Sequence, residues 1–420
     1  MFLLRILTTS LVVFNTLLFF YSSYVVVIAL FSIPNKNKKK SGAVFSFPPP
    51  KNRFVFLVAA RNEEKVIGNL LESLKLQHYP KELYDIIVVP NNCSDQTRLV
   101  AEKAGAKIMT CLHPVHSKGE VLNQVLPELS KPEYKYDAIC VIDADNLVHA
   151  DFLSAMNEAI LSGAFVAQGY RDIKNPTDTP VTGAYAIYFW LISRFYNRAR
   201  SNLGLSTPIG GSGFMIQTSL IRKMPDLHFM TMTEDMELTI LCHLAGEKVM
   251  WVPNAVIYDE QPLSFKQSWK QRSRWSSGMY QISTIYTAPI LKKAWHDKQL
   301  AGLDLISLFL SAHVQALCFI VMIIQGLIGL LQMMNHRLTP SAAWSQMTSS
   351  ILISWLLISA IAWITVLLEK KMQQGIWRGI LYFWFFLLSW MPINLLCIFR
   401  RTITWEQIRH ERNIRLQDIT

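Results

Sequence analysis

Four apolar runs constrain what this chain can fold into. Leu3 to Phe31 is broken only by Arg5 and a few Ser, Thr and Asn residues, and Leu303–Leu331, Ile351–Leu368 and Gly379–Phe399 follow late in the sequence. Each approaches or exceeds the ~20 residues that cross ~30 Å of hydrocarbon. The first is too long for the apolar core of a secretory signal and no A-x-A-like cleavage site follows it, so it reads as a spanning anchor. Between it and the late runs, Lys51 to about Gln299 mixes polar and apolar residues over a length that supports one sizeable core. The expected layout is an anchor (1–33), a basic and Pro-rich linker (34–52), a globular domain (53–261), interfacial helices (262–300), a bundle of three apolar segments (301–400) and a basic tail (401–420).

Charge then orients the layout. "NKNKKK", Asn35 to Lys40, follows the anchor, and "EKKMQQGIWR", Glu369 to Arg378, follows the third run. Basic clusters beside spanning helices mark the cytoplasmic side, which makes the globular domain cytosolic and the protein a multi-pass cell-membrane protein. The tail disagrees, because a fourth crossing would put Arg400, Arg401, Arg409, Arg412 and Arg415 outside. Either one apolar run does not cross, or the tail breaks the rule. The net charge of +11 is concentrated beside the membrane runs, which points to anionic lipid headgroups and away from nucleic acid. The six cysteines have no C-x-x-C or zinc spacing and read as free thiols of a reducing compartment.

The globular part alternates strand and helix signals. "RFVFLVAA", "YDIIVVP", "AKIMTCL" and "YDAICVIDADN" are strand-like, while "EEKVIGNLLESLKLQ", "SDQTRLVAEKAGA" (capped by Ser94 or Asp95, stopped by Gly105) and "KGEVLNQVLPEL" are helical. Such alternation predicts a parallel α/β sheet with ligands beyond its carboxyl ends. There "ARNEE" (Ala60–Glu64), "PNNCSDQT" (Pro90–Thr97) and "DADN" (Asp143–Asn146) converge. Neither G-x-G-x-x-G nor a P-loop is present, so the dinucleotide and P-loop ATPase readings fall away.

Several clusters could carry chemistry, and each has a plain alternative. Asp143 and Asp145 are two apart in an extended segment, so both carboxylates can reach one hard cation such as Mg or Mn; they could equally cap a loop. "TMTEDMEL" puts Glu234, Asp235 and Glu237 at a helix start, as a general base or as acids favoured by the helix dipole behind a Thr233 N-cap. Lys118 and Gly119 open a helix where N–H groups and an ammonium attract phosphate. "PIGGSGFMI" is a flexible turn or a close approach of backbone to ligand. "QSWKQRSRWSSGM" offers Arg272 and Arg274 as phosphate forks and Trp269 and Trp275 as flat faces for sugar rings, or else a basic helix among lipid headgroups. "GAYAIYFWLISRFYNRAR", Gly183 to Arg200, reads as interfacial because its arginines make it a poor spanning helix.

The order "ARNEE", "NNCSD", "KG", "DAD", "GGSGF", "TED", "QRSRW", followed by apolar helices, resembles the membrane-embedded polysaccharide synthases of glycosyltransferase family 2, among them cellulose, hyaluronan and poly-N-acetylglucosamine synthases. The resemblance implies a GT-A fold, a UDP-sugar donor and Mg or Mn. It implies that Glu63, Asn91 and Asp95 hold the uridine and that Lys118 lies near the nucleotide. Asp143 and Asp145 would meet nucleotide and metal. Asp235 would be the base that deprotonates the acceptor hydroxyl, with Glu234 in the same pocket. Gln271, Arg274 and Trp275 would form Q-x-x-R-W, with Arg274 on the pyrophosphate and Trp275 under the acceptor sugar, while Arg272 and Trp269 stay interfacial. Many members have Asp where this chain has Asn91, although an amide still pairs with uracil in both directions. The implied function is processive, inverting synthesis of a β-linked polysaccharide, with a partner chain or homo-oligomer completing any channel. The rivals are a single transfer to a lipid-linked acceptor and, more remotely, a non-catalytic export component.

Overall fold

The computed structural model describes residues 2–33, 47–298, 301–335, 338–400 and 412–419; Asn35–Lys40, most of the linker, Arg401 and Arg409 fall outside these. The anchor is one helix, α1 (Phe2–Leu30). The first half of the domain follows the strand and helix signals: β1 (Phe54–Ala60), α2 (Ile67–Lys75), β2 (Tyr84–Pro90), α3 (Thr97–Lys103), β3 (Lys107–Ile108), α4 (Lys118–Leu129) and β4 (Ala138–Asp143). Continuous apolar runs make β1 and β4 central. Phe54 to Val58 and Ala138 to Ile142 are all fully buried, each large side chain contributing about 1.5–3 kcal/mol by leaving water. β1 pairs in parallel with both β2 and β4. Ala59 lies opposite Asp143 and Ala60 opposite Pro90, so the three polar loops leave the sheet at one rim.

Beyond β4 the sheet departs from the all-parallel expectation. β5 (Leu147–Val148), α5 (Phe152–Leu161), β6 (Val166–Ile173), α6 (Pro180–Leu191), α7 (Ala199–Asn202), β7 (Phe214–Gln217), α8 (Thr218–Lys223), α9 (Glu234–Leu244) and β8 (Val249–Asp259) complete an eight-stranded sheet ordered β3-β2-β1-β4-β7-β6-β8-β5. β7 runs antiparallel to both β4 and β6. The "GGSGF" turn feeding β7 is therefore returned to the D-x-D rim, with Gly213 N donating to Val141 O at 2.9 Å.

A single helix, α10 (Phe265–Asp297), carries Q-x-x-R-W; α11 (Ala301–Met334), α12 (Pro340–Leu368), α13 (Ile376–Leu388) and α14 (Trp390–Phe399) follow. Among the described residues, α1 from Thr9, α11, α12 and the α13–α14 pair are long and apolar enough to cross a membrane. The α13–α14 pair, however, begins beside the globular domain and ends beside α10. Arg378 at its start donates to Thr177 O at 2.6 Å, Ser277 of α10 donates to Arg400 O at 3.4 Å, and Arg412 Nε then reaches Asp178 at 2.7 Å. The fourth apolar run is thus long and apolar enough to span, yet both its ends and Arg412 of the tail contact the globular domain or α10. Pro392 lacks the N–H for an i−4 bond, which accounts for the break between α13 and α14.

The Gly183–Arg200 segment is not a helix spread on headgroups. α6 packs against α13 at a glycine crossing, where a Cβ on Gly183 would lie 2.8 Å from Gly379 Cα. After α6 the chain makes a seven-residue π-helix, Ile192–Arg198. Its arginines, with Arg200 beyond it, are tied into the protein. Arg194 pairs with Glu369, Arg198 lies 5.6 Å above the Trp251 ring, and buried Arg200 bonds Asp304 of α11 at 2.8 and 2.9 Å.

Candidate active site

Asp143 ends β4, and its N–H donates to Ser212 Oγ of the "GGSGF" turn at 2.9 Å. Its carboxylate receives Lys118 Nζ at 2.5 Å; the same ammonium donates to Gly211 O at 2.6 Å and lies 3.9 Å from Glu234. Lys118 is delivered by the first turn of α4, whose N-cap Ser117 accepts from Glu120 N at 3.2 Å. Gly119 lets that turn approach the TED loop: a Cβ there would sit 3.3 Å from Phe229 and 3.4 Å from Glu234. Gly211, at φ +83°, brings its backbone to Asp235, with a would-be Cβ 3.6 Å from Oδ2. Close approach is thus the use of Gly119, and the left-handed backbone the use of Gly211.

Glu234 and Asp235 open α9, half-buried. Burial dominates and lifts both carboxyl groups above their usual range, Glu234 to about 7, although Lys118 pulls each of them down. For Lys118, burial alone would lower the ammonium, but Asp143, Glu234 and Asp235 outweigh it and raise it. Thr233 does not cap through its side chain. The third acid, Glu237, is spent on structure: it is fully buried and accepts from Met230 N, Thr231 N, Thr231 Oγ1 and Tyr286 Oη.

Asp145 is buried beside Asn146, whose Nδ2 bonds Asp259 at 3.0 Å. Asp259 in turn pairs with Arg171 of β6, which donates to Gly210 O at 2.8 Å and lies 4.2 Å above Phe189. Arg171 and Asp259 form no sequence motif, so sequence reading missed them. Only the pairing of β6 with β8, which opposes Arg171 to Ile257 and Asp172 to Tyr258, brings them to the D-x-D.

Gln271, Arg274 and Trp275 all face the same cavity of about 1180 Å³ as Glu63, Asn91, Lys118, Asp143, Asp145, Glu234 and Asp235. Gln271 Oε1 and Arg274 Nε are buried without a hydrogen-bond partner among the described residues. Asn91 spends one amide hydrogen on Ala60 O at 3.2 Å. Trp275 is already stacked on Trp390 at 6.2 Å and meets Tyr185 and Phe189 edge-on. Asp95 is not on the cavity wall. Its carboxylate accepts from Thr97 N, Thr97 Oγ1 and Glu64 N, organising the start of α3. Arg272 is also not interfacial: it is wholly buried and bonds Phe386 O and Ser389 Oγ at 2.9 and 2.8 Å, pinning α10 to α13. Trp269 packs edge-on against Phe265 at 5.8 Å.

The half-parallel sheet, the acids and cations gathered at its rim and the appended apolar helices define a GT-A-type glycosyltransferase joined to candidate membrane spans. The chain belongs to the glycosyltransferase-like family 2, whose profile matches residues 49–278, more than half of its length. It is 27% identical over 289 residues to beta-monoglucosyldiacylglycerol synthase of Synechocystis, covering 63% of this chain and 55% of that one. It is 24% identical over 279 residues to poly-beta-1,6-N-acetyl-D-glucosamine synthase of Staphylococcus epidermidis, covering 64% and 66%. The chain therefore spans between half and two thirds of these curated relatives. In fold it is similar to the mannosyltransferase PcManGT of Pyrobaculum calidifontis, solved with GDP-Man and Mn2+, at a TM-score of 0.56 and 14% identity over 93% of this chain and 97% of that one.

Proposed function

We propose that this chain transfers a sugar, with inversion, from a nucleoside diphosphate sugar to an acceptor hydroxyl entering from the membrane side, and repeats the step to build a β-linked polysaccharide. One observation carries the reading: a single cavity runs from Lys118, Asp143 and Asp235 past Gln271, Arg274 and Trp275 into the space among α1, α11, α12, α13 and α14. Donor chemistry and acceptor path share one room.

In this reading Asp143 and Asp145 are the residues that would hold a divalent cation. Two carboxylates beside an open cavity fit Mg or Mn, which keep few protein ligands and take the rest from phosphate and water; bound there, the cation supplies charge neutralisation for the leaving diphosphate. The chain's own contribution is Lys118 and Arg274 on the diphosphate oxygens, in a partly dehydrated site where such contacts gain strength. Asp235 accepts the proton of the attacking hydroxyl, and Glu234 and Gln271 hold the acceptor. Glu63 and Asn91 take the nucleobase side; UDP fits the polysaccharide synthase resemblance, and the donor panel should include GDP-sugars. The catalytic domain is cytosolic, and the basic segments lie against anionic lipid.

A second reading, single transfer to a lipid-linked acceptor, is favoured by one feature. The α13–α14 pair starts and ends against the domain and α10, and in this reading it does not cross, which leaves α1, α11 and α12 as spans, too few to enclose a pore without a partner chain or homo-oligomer. The test is to incubate the purified protein with a panel of UDP- and GDP-sugars, Mg or Mn, and membrane lipid, then size and digest the product. A ladder or long polymer supports the first reading. A lipid carrying one sugar supports the second, and no sugar transfer under any condition overturns both.

A further inference from the structure

We propose that Arg171 of β6 is a positioning residue for the transfer: it holds the Gly210–Gly213 turn in place and keeps a fixed positive charge beside the Asp235 carboxylate. The proposal rests on the glycosyltransferase reading above and deepens it at the base. One geometric relation carries it. The Cβ position of Gly211 lies 3.6 Å from Asp235 Oδ2 and 3.9 Å from Arg171 Nη1, so carboxylate and cation flank one point of the cavity wall that both residues line.

The guanidinium is held at each corner. Asp259 takes its Nε–Nη2 edge, the Phe189 ring lies 4.2 Å from its Cζ, and Nη1 donates to Gly210 O at 2.8 Å. Asp259 is itself fixed by Asn146 Nδ2 at 3.0 Å and Gln261 Nε2 at 2.7 Å. The same strand grips the turn a second time: Gly210 N donates to Gln168 Oε1 and Gln168 Nε2 to Ser212 O, each at 3.0 Å, and Gly169 N donates to Gly213 O at 2.8 Å. Gln168 and Arg171 flank the register break of β6 against β8 between Gly169 and Tyr170, an irregularity of the kind that re-aims side chains beside active sites. On either side of Arg171, Tyr170 and Asp172 are tied to Glu369 and Lys371 after α12. Arg171 is thus a charge that needs no reorganisation when the reaction occurs, the condition under which a fixed group counts most.

The charges around the base give the consequence. Burial lifts the Asp235 carboxyl, while Lys118 of α4 and Arg171 pull it down. Its neighbour Glu234 is pulled down by Lys118 and by Arg274 of α10. Asp259, Asp143 and Asp145 also act on Arg171. Lys118 is bonded to Asp143 and, in the proposed function, serves the diphosphate, which leaves Arg171 as the cation that serves the base. A base must be ionised to accept the proton of the attacking hydroxyl, so transfer falls as pH drops through its pKa. Removing Arg171 raises that pKa and moves the acid limb of the pH profile upward.

The experiment uses the full chain in lipid nanodiscs with the UDP- or GDP-sugar that wild type consumes, Mg or Mn and membrane lipid, and measures kcat and donor KM along the acid limb. Arg171→Met with Asp259→Leu removes both charges together and strands neither, and nucleotide binding checks the fold. Donor KM should stay near wild type, while the acid limb should rise by about one pH unit, which on that limb is a tenfold loss of kcat. Arg171→Lys, with Asp259 in place, should keep the limb where wild type has it. If the double variant binds no nucleotide, Arg171→Gln carries the same test with the same expected rise. A wild-type limb in the charge-free variant overturns the proposal and leaves the function standing. So does a loss of nucleotide binding or of all transfer that Arg171→Lys shares, which would assign the arginine to the fold alone. A wild-type chain that transfers nothing overturns the function and the positioning role together.

Discussion

Gly278 of α10 lies directly against Thr233 at the start of α9: a Cβ at 278 would come within 2.5 Å of the threonine's Oγ1 and Cγ2. The helix carrying Q-x-x-R-W and the helix carrying the TED acids are thereby in contact at a position where only glycine fits. Arg274 and Asp235 owe their common cavity to it.

Gly278→Ala should therefore push α10 away from α9. Overpacking of this kind costs about 1–3 kcal/mol, and thermal unfolding should register the loss together with a fall in sugar transfer. Gly326→Ala on α11, where beyond the helix's own backbone no atom of the described residues lies within 4 Å of the added Cβ, should lose neither. Equal behaviour of the two variants would remove the contact's significance.

Asp235→Asn should abolish transfer, by the ~10²–10⁴-fold typical of a lost general base or more, while the protein still inserts and binds nucleotide. The assay is incorporation of labelled sugar into membranes bearing the variant. Near wild-type incorporation would sink the assignment of the base.

Glu234 gives a prediction about pH and stability. Burial, the largest cause, raises its carboxyl to about 7 in the folded chain, whereas an unfolded chain releases that proton near 4.5. Between these values the folded state holds a proton that the unfolded state has lost, so stability falls as pH rises through the window and the whole penalty is present above pH 7. Glu234→Gln cannot pay it. The variant should gain thermal stability over wild type at pH 8, with the gain shrinking toward pH 5, even though transfer drops. A gain independent of pH would refute the linkage.

Arg171 and Asp259 form an ion pair with side-chain exposures of 16% and 6%. Removing one partner strands the other, at about 3–5 kcal/mol for a buried pair. Asp259→Ala should unfold well below wild type in temperature, and Arg171→Met with Asp259→Leu should recover most of the difference. Failure of the double variant to recover would mean that Arg171 is needed for more than pairing.

The α13–α14 pair, held at its ends against the domain and α10, predicts the side of the tail. In a cysteine-free background, a cysteine at Leu416 and one at Glu102 should react with an impermeant thiol reagent from the same side of the membrane, and one at Asn335 from the other. Labelling of Leu416 with Asn335 would mean that the fourth run crosses.

Part of this architecture was legible in the chain itself. Continuous apolar strands such as Phe54–Ala60 and Ala138–Asp143 can only be buried in the centre of a sheet, and helix starts such as Ser117-Lys118 are local hydrogen-bond choices. Local order therefore determined the elements, the rim they share and the motifs placed on it. Asp95 shows a limit of such reading, because a carboxylate that organises the start of its own helix and one that faces a ligand look alike in sequence. Arg272 was misread for a related reason: beside a membrane, arginine suits headgroups, and only the packing of α13 reveals Phe386 O and Ser389 Oγ as its partners.

What remained was decided between elements distant in sequence. The antiparallel insertion of β7, the Arg171–Asp259 pair across β6 and β8, the glycine contacts at 183 with 379 and 278 with 233, and the return of the tail to Asp178 all depend on which surfaces meet. Hydropathy and motif spacing act along the chain, where neighbours are known in advance. Close packing and charge pairing act across it, and their partners exist only once the fold has brought them together.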